Sequence, residues 1–230
     1  MMRLHRFQDP NEFFERVKDY LLSDEAMHNL LLGLSNAFIQ NPERFKEPPY
    51  LATVELNTEI IAVAIRTSGR PLILSQAKDL LAIEIIAGDL YPAQVSLPGV
   101  NAPITPAKSF AEIWSSLTGQ PYKLEIAMRV LQLEQVQPVF DVPGYLRLGE
   151  NSDSFAAARS ADRELLIHWY QAFGVEALGS TSINVERQVD LYLQEGTVYL
   201  WENEVPVSMA CCVGRTPNGW KPRPYRTALN

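Results

Sequence analysis

Three histidines, His5, His28 and His168, and one adjacent pair of cysteines, Cys211 and Cys212, are the first places to look for metal or nucleophile chemistry in this chain. The histidines are scattered, and none stands at ligand spacing with a second histidine or a cysteine. Neighbouring cysteines in a strand point to opposite faces, which suits neither an ordinary disulfide nor a metal pair; one is expected inside and one outside. Asp24, Glu25 and His28 could meet on one helix face, but a capped, solvated helix start is the favoured reading. No Gly-x-Ser-x-Gly elbow, phosphate-binding Walker loop or dinucleotide fingerprint occurs, so the hydrolase, nucleotide-triphosphatase and dehydrogenase readings lack their basic parts.

The bulk of the chain narrows the choice further. Its 230 residues are 47% hydrophobic and 20% charged, a globular composition long enough for one large domain or two small ones. A net charge of −7 disfavours nucleic acid, whose phosphates need clustered Lys and Arg. An amine-bearing partner would suit it, as would a simply solvated surface. The opening "MMRLHRFQDP" has no apolar core after its basic residues, and no apolar run approaches the roughly 20 residues of a membrane span. The expectation is a soluble cytoplasmic protein with no membrane partner.

These residues must be positioned by elements that the pattern lays out in order. "NEFFERVKDYLL" and "EAMHNLLLGLSNAFI" carry apolar residues at helical spacing. "YLATVEL" and "IIAVAIRT", split by Asn57-Thr58-Glu59, predict a hairpin, and "PLIL" a short third strand before the helix "QAKDLLAIEIIAGDL". After the crossing "LPGVNAPITP" comes the helix "AKSFAEIWSSL", and "YKLEIAMRVLQLEQV" is expected to supply closing strands, with helix as the alternative. The reading is an α/β fold, a mixed sheet with helices on both faces.

Past "PVFDVPGYLRLGENSD" the order begins again. Two helices, "ADRELLIHWYQAFGVEAL" and "SINVERQVDLYLQEG", precede a hairpin at 199–219 that aligns with that at 50–69. Tyr50 and Tyr199 open the two hairpins, and the pairs Glu25-Ala26 and Glu176-Ala177 stand at corresponding points. A repeat near 150 residues suggests internal duplication. The expected organisation is a domain over 1–140, a linker over 141–154 and a second domain over 155–230.

The segment "ADRELLIHWYQAFGVEA" followed by "GTVYLWENEVPVSMACCVGRTPNG" resembles the first half of the acetyltransferase domain in tandem bacterial members of the GNAT family of N-acetyltransferases. The opening "FFERVKDYLLSDEAMHNLLLGL" and the turn "LPGVNAP" are similar to the degenerate copy that precedes the catalytic one there. The resemblance covers the chain to about residue 219. It implies transfer of an acetyl group from acetyl-CoA to a small-molecule or peptide amine, with backbone N–H groups polarising the thioester carbonyl. It also implies a Gln/Arg-x-x-Gly-x-Gly/Ala turn for the pyrophosphate between the fourth strand and third helix.

That turn is missing from both copies. In the first the joint reads "LILSQAKDLL", without glycine, and Ser75 is expected as an N-cap. In the second, "WKPRPYRTALN" reads as neither a central strand nor a phosphate loop. The chain is therefore expected to stop short of its cofactor-binding half and to leave 207–213 as an open sheet edge prone to self-association. Lys78, Lys221, Arg223 and Arg226 could attract phosphate loosely, so no firm acetyl-CoA site is expected. Trp169, Tyr170 and Phe173 form an aromatic patch read as core. By resemblance Glu176 is the acceptor-side candidate, and no catalytic acid is assigned. The alternatives to an inactive acetyltransferase-like protein are a non-catalytic interaction module and a non-functional gene fragment.

Overall fold

The computed structural model describes residues 1–93, 97–132, 134–135, 145–146, 160–179 and 184–225. The chain divides into two compact units, Met1–Leu133 and Glu134–Asn230.

The first unit opens with a strand, β1 (Met2–Phe7), that the order of elements read from the sequence does not include. Its signal is the alternation of Met2 and Leu4, packed on the core, with exposed Arg3 and His5. Asp9 accepts a hydrogen bond from the Asn11 amide at 2.8 Å and Pro10 takes the first helical position, which starts α1 (Pro10–Leu22). Phe13, Val17 and Leu21, four residues apart, are completely buried along one face. Then come α2 (Asn29–Gln40), the hairpin β2 (Tyr50–Leu56) and β3 (Glu59–Arg66), β4 (Leu72–Leu74), α3 (Leu81–Leu90), β5 (Val100–Asn101) and α4 (Ile104–Thr118).

The sheet runs β1-β2-β3-β4-β5, antiparallel except for the last pair. Its central strands are apolar on both sides, as a sheet covered twice requires. Leu51, Val63 and Ile65 pack with Phe13, Val17, Leu31 and Phe38 of the α1–α2 layer. The alternate residues Ala52, Val54, Ala62 and Ala64 pack with Ile83, Ile86, Phe110 and Trp114 of the α3–α4 layer. The expected helices on both faces are present.

The stretch after α4 departs from expectation. Residues 121–132 carry neither strand nor helix and are exposed throughout, so "YKLEIAMRVLQ" closes no sheet. Its period-two pattern is that of a strand, but the ladder donors and acceptors that would make it one are not met here.

The second unit contains β6 (Tyr145–Leu146), α5 (Arg163–Leu178), α6 (Val185–Glu195), β7 (Val198–Asn203), β8 (Val205–Thr216) and β9 (Gly219–Tyr225), with sheet order β6-β7-β8-β9. Two residues of the stretch expected as linker thus belong to the second sheet. Arg163 grips Asp190 through Nε to Oδ1 at 2.6 Å and Nη2 to Oδ2 at 3.2 Å, tying α5 to α6. The elements of the second unit follow the first six of the first unit in the same order and the same sheet positions. Both hairpins also break register shortly before a non-glycine residue with positive φ. The break lies at Val54/Glu55 before Asn57 (φ 59°) and at Trp201/Glu202 before Glu204 (φ 63°).

The expectation of an open edge at 207–213 is corrected for 209–213. β9 pairs along β8 from Met209↔Tyr225 to Thr216↔Gly219. Prolines suggested that no strand could form there, but proline is excluded only from central strands. Pro222 and Pro224 are two residues apart and so turn the same way; the ladder with Ala210 and Cys212 is kept only if both ring nitrogens face away from β8. They remove donors from the outer edge. Replacing both by threonine should restore those donors and lower solubility, with growth of β-sheet aggregates visible in dye binding and turbidity. Unchanged solubility would mean the edge is closed by something else.

Candidate functional site

The place to build a site is the carboxyl end of the parallel pair β4 and β5, where open α/β sheets bind ligands. The pair is short, Leu72↔Val100 and Ile73↔Asn101, after which β4 passes through residues 75–80 into α3. Several backbone amides of that joint are already bonded. The Ser75 amide donates to the Val63 carbonyl at 3.0 Å and the Lys78 amide to the Ile61 carbonyl at 3.1 Å. The Gln76 amide donates to His28 Nε2 at 3.3 Å. Asp79 Oδ1 accepts from the Leu81 amide at 2.9 Å, so a carboxylate occupies the start of α3.

Ser75 is therefore not the helix cap expected of it. Completely buried, its Oγ accepts from the Val63 amide at 2.9 Å and donates to the Gln76 carbonyl at 2.5 Å, extending the β3–β4 ladder by a side chain. Tyr20 donates to the same Gln76 carbonyl at 2.7 Å and lies 3.3 Å from Ser75 Oγ. Burial raises the Tyr20 pKa against the opposing pull of Ser75 and Lys78, so it stays a neutral phenol.

His28 is the centre of this arrangement. It does not meet Asp24 and Glu25 on a solvated face: it is 3% exposed, with its ring stacked 5.6 Å from Tyr20. Because Nε2 accepts from the Gln76 amide, Nδ1 carries the proton and donates to the Leu21 carbonyl at 3.1 Å. Burial lowers its pKa, opposed by the Leu21 carbonyl and the Asp24 carboxylate. Both ring nitrogens are thus used in holding the α1–α2 connection to the β4–α3 joint. With Nε2 given to a backbone amide, His28 is not directed at Ser75 as a general base. The sequence signal for it was one polar residue among the apolar Leu21, Leu31 and Leu32.

Two further networks brace the same sheet. Asp89, near the end of α3, accepts from Arg6 Nε at 2.8 Å and from the Tyr50 hydroxyl at 2.7 Å, and burial with that carboxylate contact raises the Tyr50 pKa. Glu55 accepts from Arg16 Nη2 at 2.7 Å and from Thr53 Oγ1 at 2.8 Å. Burial pushes Glu55 up, but the bonds from Arg16 and Thr53 prevail and hold it below the usual carboxylate range.

The other sequence candidates are dispersed. Lys78 pairs with Glu59 and stands 5.6 Å over the Tyr20 ring, rather than aiming at the joint. Lys221 and Arg223 lie on β9 of the second unit; Arg226 lies outside the described residues. Glu176 is exposed in the last turn of α5, whereas Glu25 lies in the turn after α1, so the two are not at equivalent points. Nothing gathers around Glu176 among the described residues. Trp169 is buried with Leu166, Val189 and Leu200, and Tyr170 and Phe173 pack on that core. Cys211 is buried in the same cluster, while His5 and His168 are exposed. Among the described residues no three His, Cys, Asp or Glu side chains converge as a metal site, and no helix is long and apolar enough to cross a membrane.

The first unit is a mixed five-stranded sheet between two helical layers, with its strand-to-helix joint locked by internal hydrogen bonds. No protein-family model, curated protein or solved structure matches the chain.

Proposed function

We propose that the chain is a GNAT-like protein in which the first unit has given up acetyl-CoA binding and the second repeats its opening six elements, the whole acting in the cytoplasm as a non-catalytic interaction module. Support for the ancestry is the element order β-α-α-β-β-β-α-β-α with a parallel pair at β4 and β5, together with the paired register breaks in the two hairpins. A single observation carries the loss of activity. Of the amides at that joint, those of Ser75, Gln76, Lys78 and Leu81 already bond to Val63, His28, Ile61 and Asp79, which leaves too few to converge on a pyrophosphate. Freeing them would cost about 1–3 kcal/mol for each group left unpaired. Asp79 adds a negative charge where the cofactor's phosphates would lie.

Calorimetric titration with acetyl-CoA tests the reading. The expected result is no saturable heat at affinities tighter than roughly millimolar, which corresponds to about 4 kcal/mol of binding. Saturation in the low micromolar range, with acetyl transfer to an amine, would overturn it.

A further inference from the structure

Residues 122–130 place an apolar row on the surface of the first unit, uncovered among the described residues. Tyr122, Leu124, Ile126, Met128 and Val130 are 47–81% exposed, and they alternate with Lys123, Glu125, Ala127 and Arg129. An ion pair joins Lys123 to Glu125 at 2.8 Å, two residues apart, as side chains on one side of an extended chain are. We propose that this segment is an interaction strand and that its partner is the same segment of a second copy of the chain, paired antiparallel about Ala127.

Self-complementary charge points to a second copy as occupant, and charge together with the length paired chooses the register. Centring the pair on Ala127 puts Glu125 of each copy opposite Arg129 of the other, twice over, with Leu124 opposite Val130 and Ile126 opposite Met128 on the apolar side. Centring it on Ile126 would set Lys123 against Arg129 twice. Centring it on Glu125 or on Arg129 would set that residue against its own copy. Only even shifts keep the apolar rows together, since a one-residue slip turns one strand over. Eleven residues, 122–132, pair in the favoured register. An isolated two-stranded ribbon is marginal, so the dimer is weak and concentration-dependent. The inference stands without the acetyltransferase ancestry.

Sedimentation velocity on the full chain provides the test, with Glu125→Arg and Arg129→Glu made separately. At roughly 100 µM the unaltered protein should dimerise, and each single variant should dimerise roughly tenfold more weakly because like charges then face each other twice. An equimolar mixture of the two variants should recover the dimer, since the arginine introduced in one copy then meets the glutamate introduced in the other. That recovery also shows that both variants are folded. The proposal is overturned if the unaltered protein stays monomeric, if the single variants dimerise as it does, or if the mixture fails to recover. The last two results would assign the contact to another surface, such as the edge of β1 or β5.

Discussion

Replacing His28 with alanine will lower the unfolding free energy of the first unit by about 3–5 kcal/mol, through the cavity it leaves and the Gln76 amide and Leu21 carbonyl it strands. The same substitution will remove a pH dependence. Burial holds the folded His28 pKa below its ordinary value of 6.5, so the unfolded chain takes up the proton first. The contribution is complete above about pH 6.5 and is lost progressively as pH falls from there to the lower folded value. Hydrogen exchange at Val63 and Gln76 isolates this unit from the second. Protection in the native protein should weaken between pH 7 and pH 5.5, and in the variant that change should vanish. His28→Gln, which can offer both an acceptor and a donor, should recover part of the stability without the pH dependence. An alanine variant that retains the pH change would place its origin elsewhere.

Removing Arg16 will cost about 2–3 kcal/mol, less than a fully buried pair because the Arg16 side chain is 37% exposed. What matters is the partner left behind. The Glu55 side chain is only 9% exposed, and without Arg16 the burial that raises its pKa is opposed by the Thr53 hydroxyl and by His5 alone. In the native protein the Glu55 contribution is present above about 4.5 and is lost as pH falls through the lower folded value. In Arg16→Ala that contribution shrinks, so the cost of the substitution should fall as pH drops toward 4.5. Combining Arg16→Ala with Glu55→Gln should cost less than Arg16→Ala alone. Chemical denaturation at pH 7 and pH 4.5 measures both effects, and equal losses at the two pH values would contradict the assignment.

Long apolar patterns are legible in the sequence and irregular contacts are not. Phe13, Val17 and Leu21 announce α1, and the two-sided apolar runs of β2 and β3 announce a covered sheet. β1 is hidden because a basic, weakly apolar opening looks first like a failed leader, although Met2 and Leu4 against Arg3 and His5 is a strand pattern. β6 is two residues long and offers no period at all. β9 is obscured by prolines that an edge strand accepts. The pattern over 122–130 is strand-like but forms no strand among the described residues, since pairing depends on a neighbour that the segment's own residues do not specify. α3 begins at Leu81 rather than with Gln76, because Gln76 and Lys78 are held by His28 and Ile61. The place of His28 is illegible for the same reason: its partner is a backbone amide 48 residues away, and no residue type marks that contact.

The two prolines of β9 also bear on assembly. A fibre formed edge to edge needs a sheet with two open ends, so that each added copy exposes the next site. Pro222 and Pro224 remove donors from the β9 edge of the second sheet, so added strands find a poorer template on that side. Propagation of this sheet into a filament is therefore disfavoured on its β9 side.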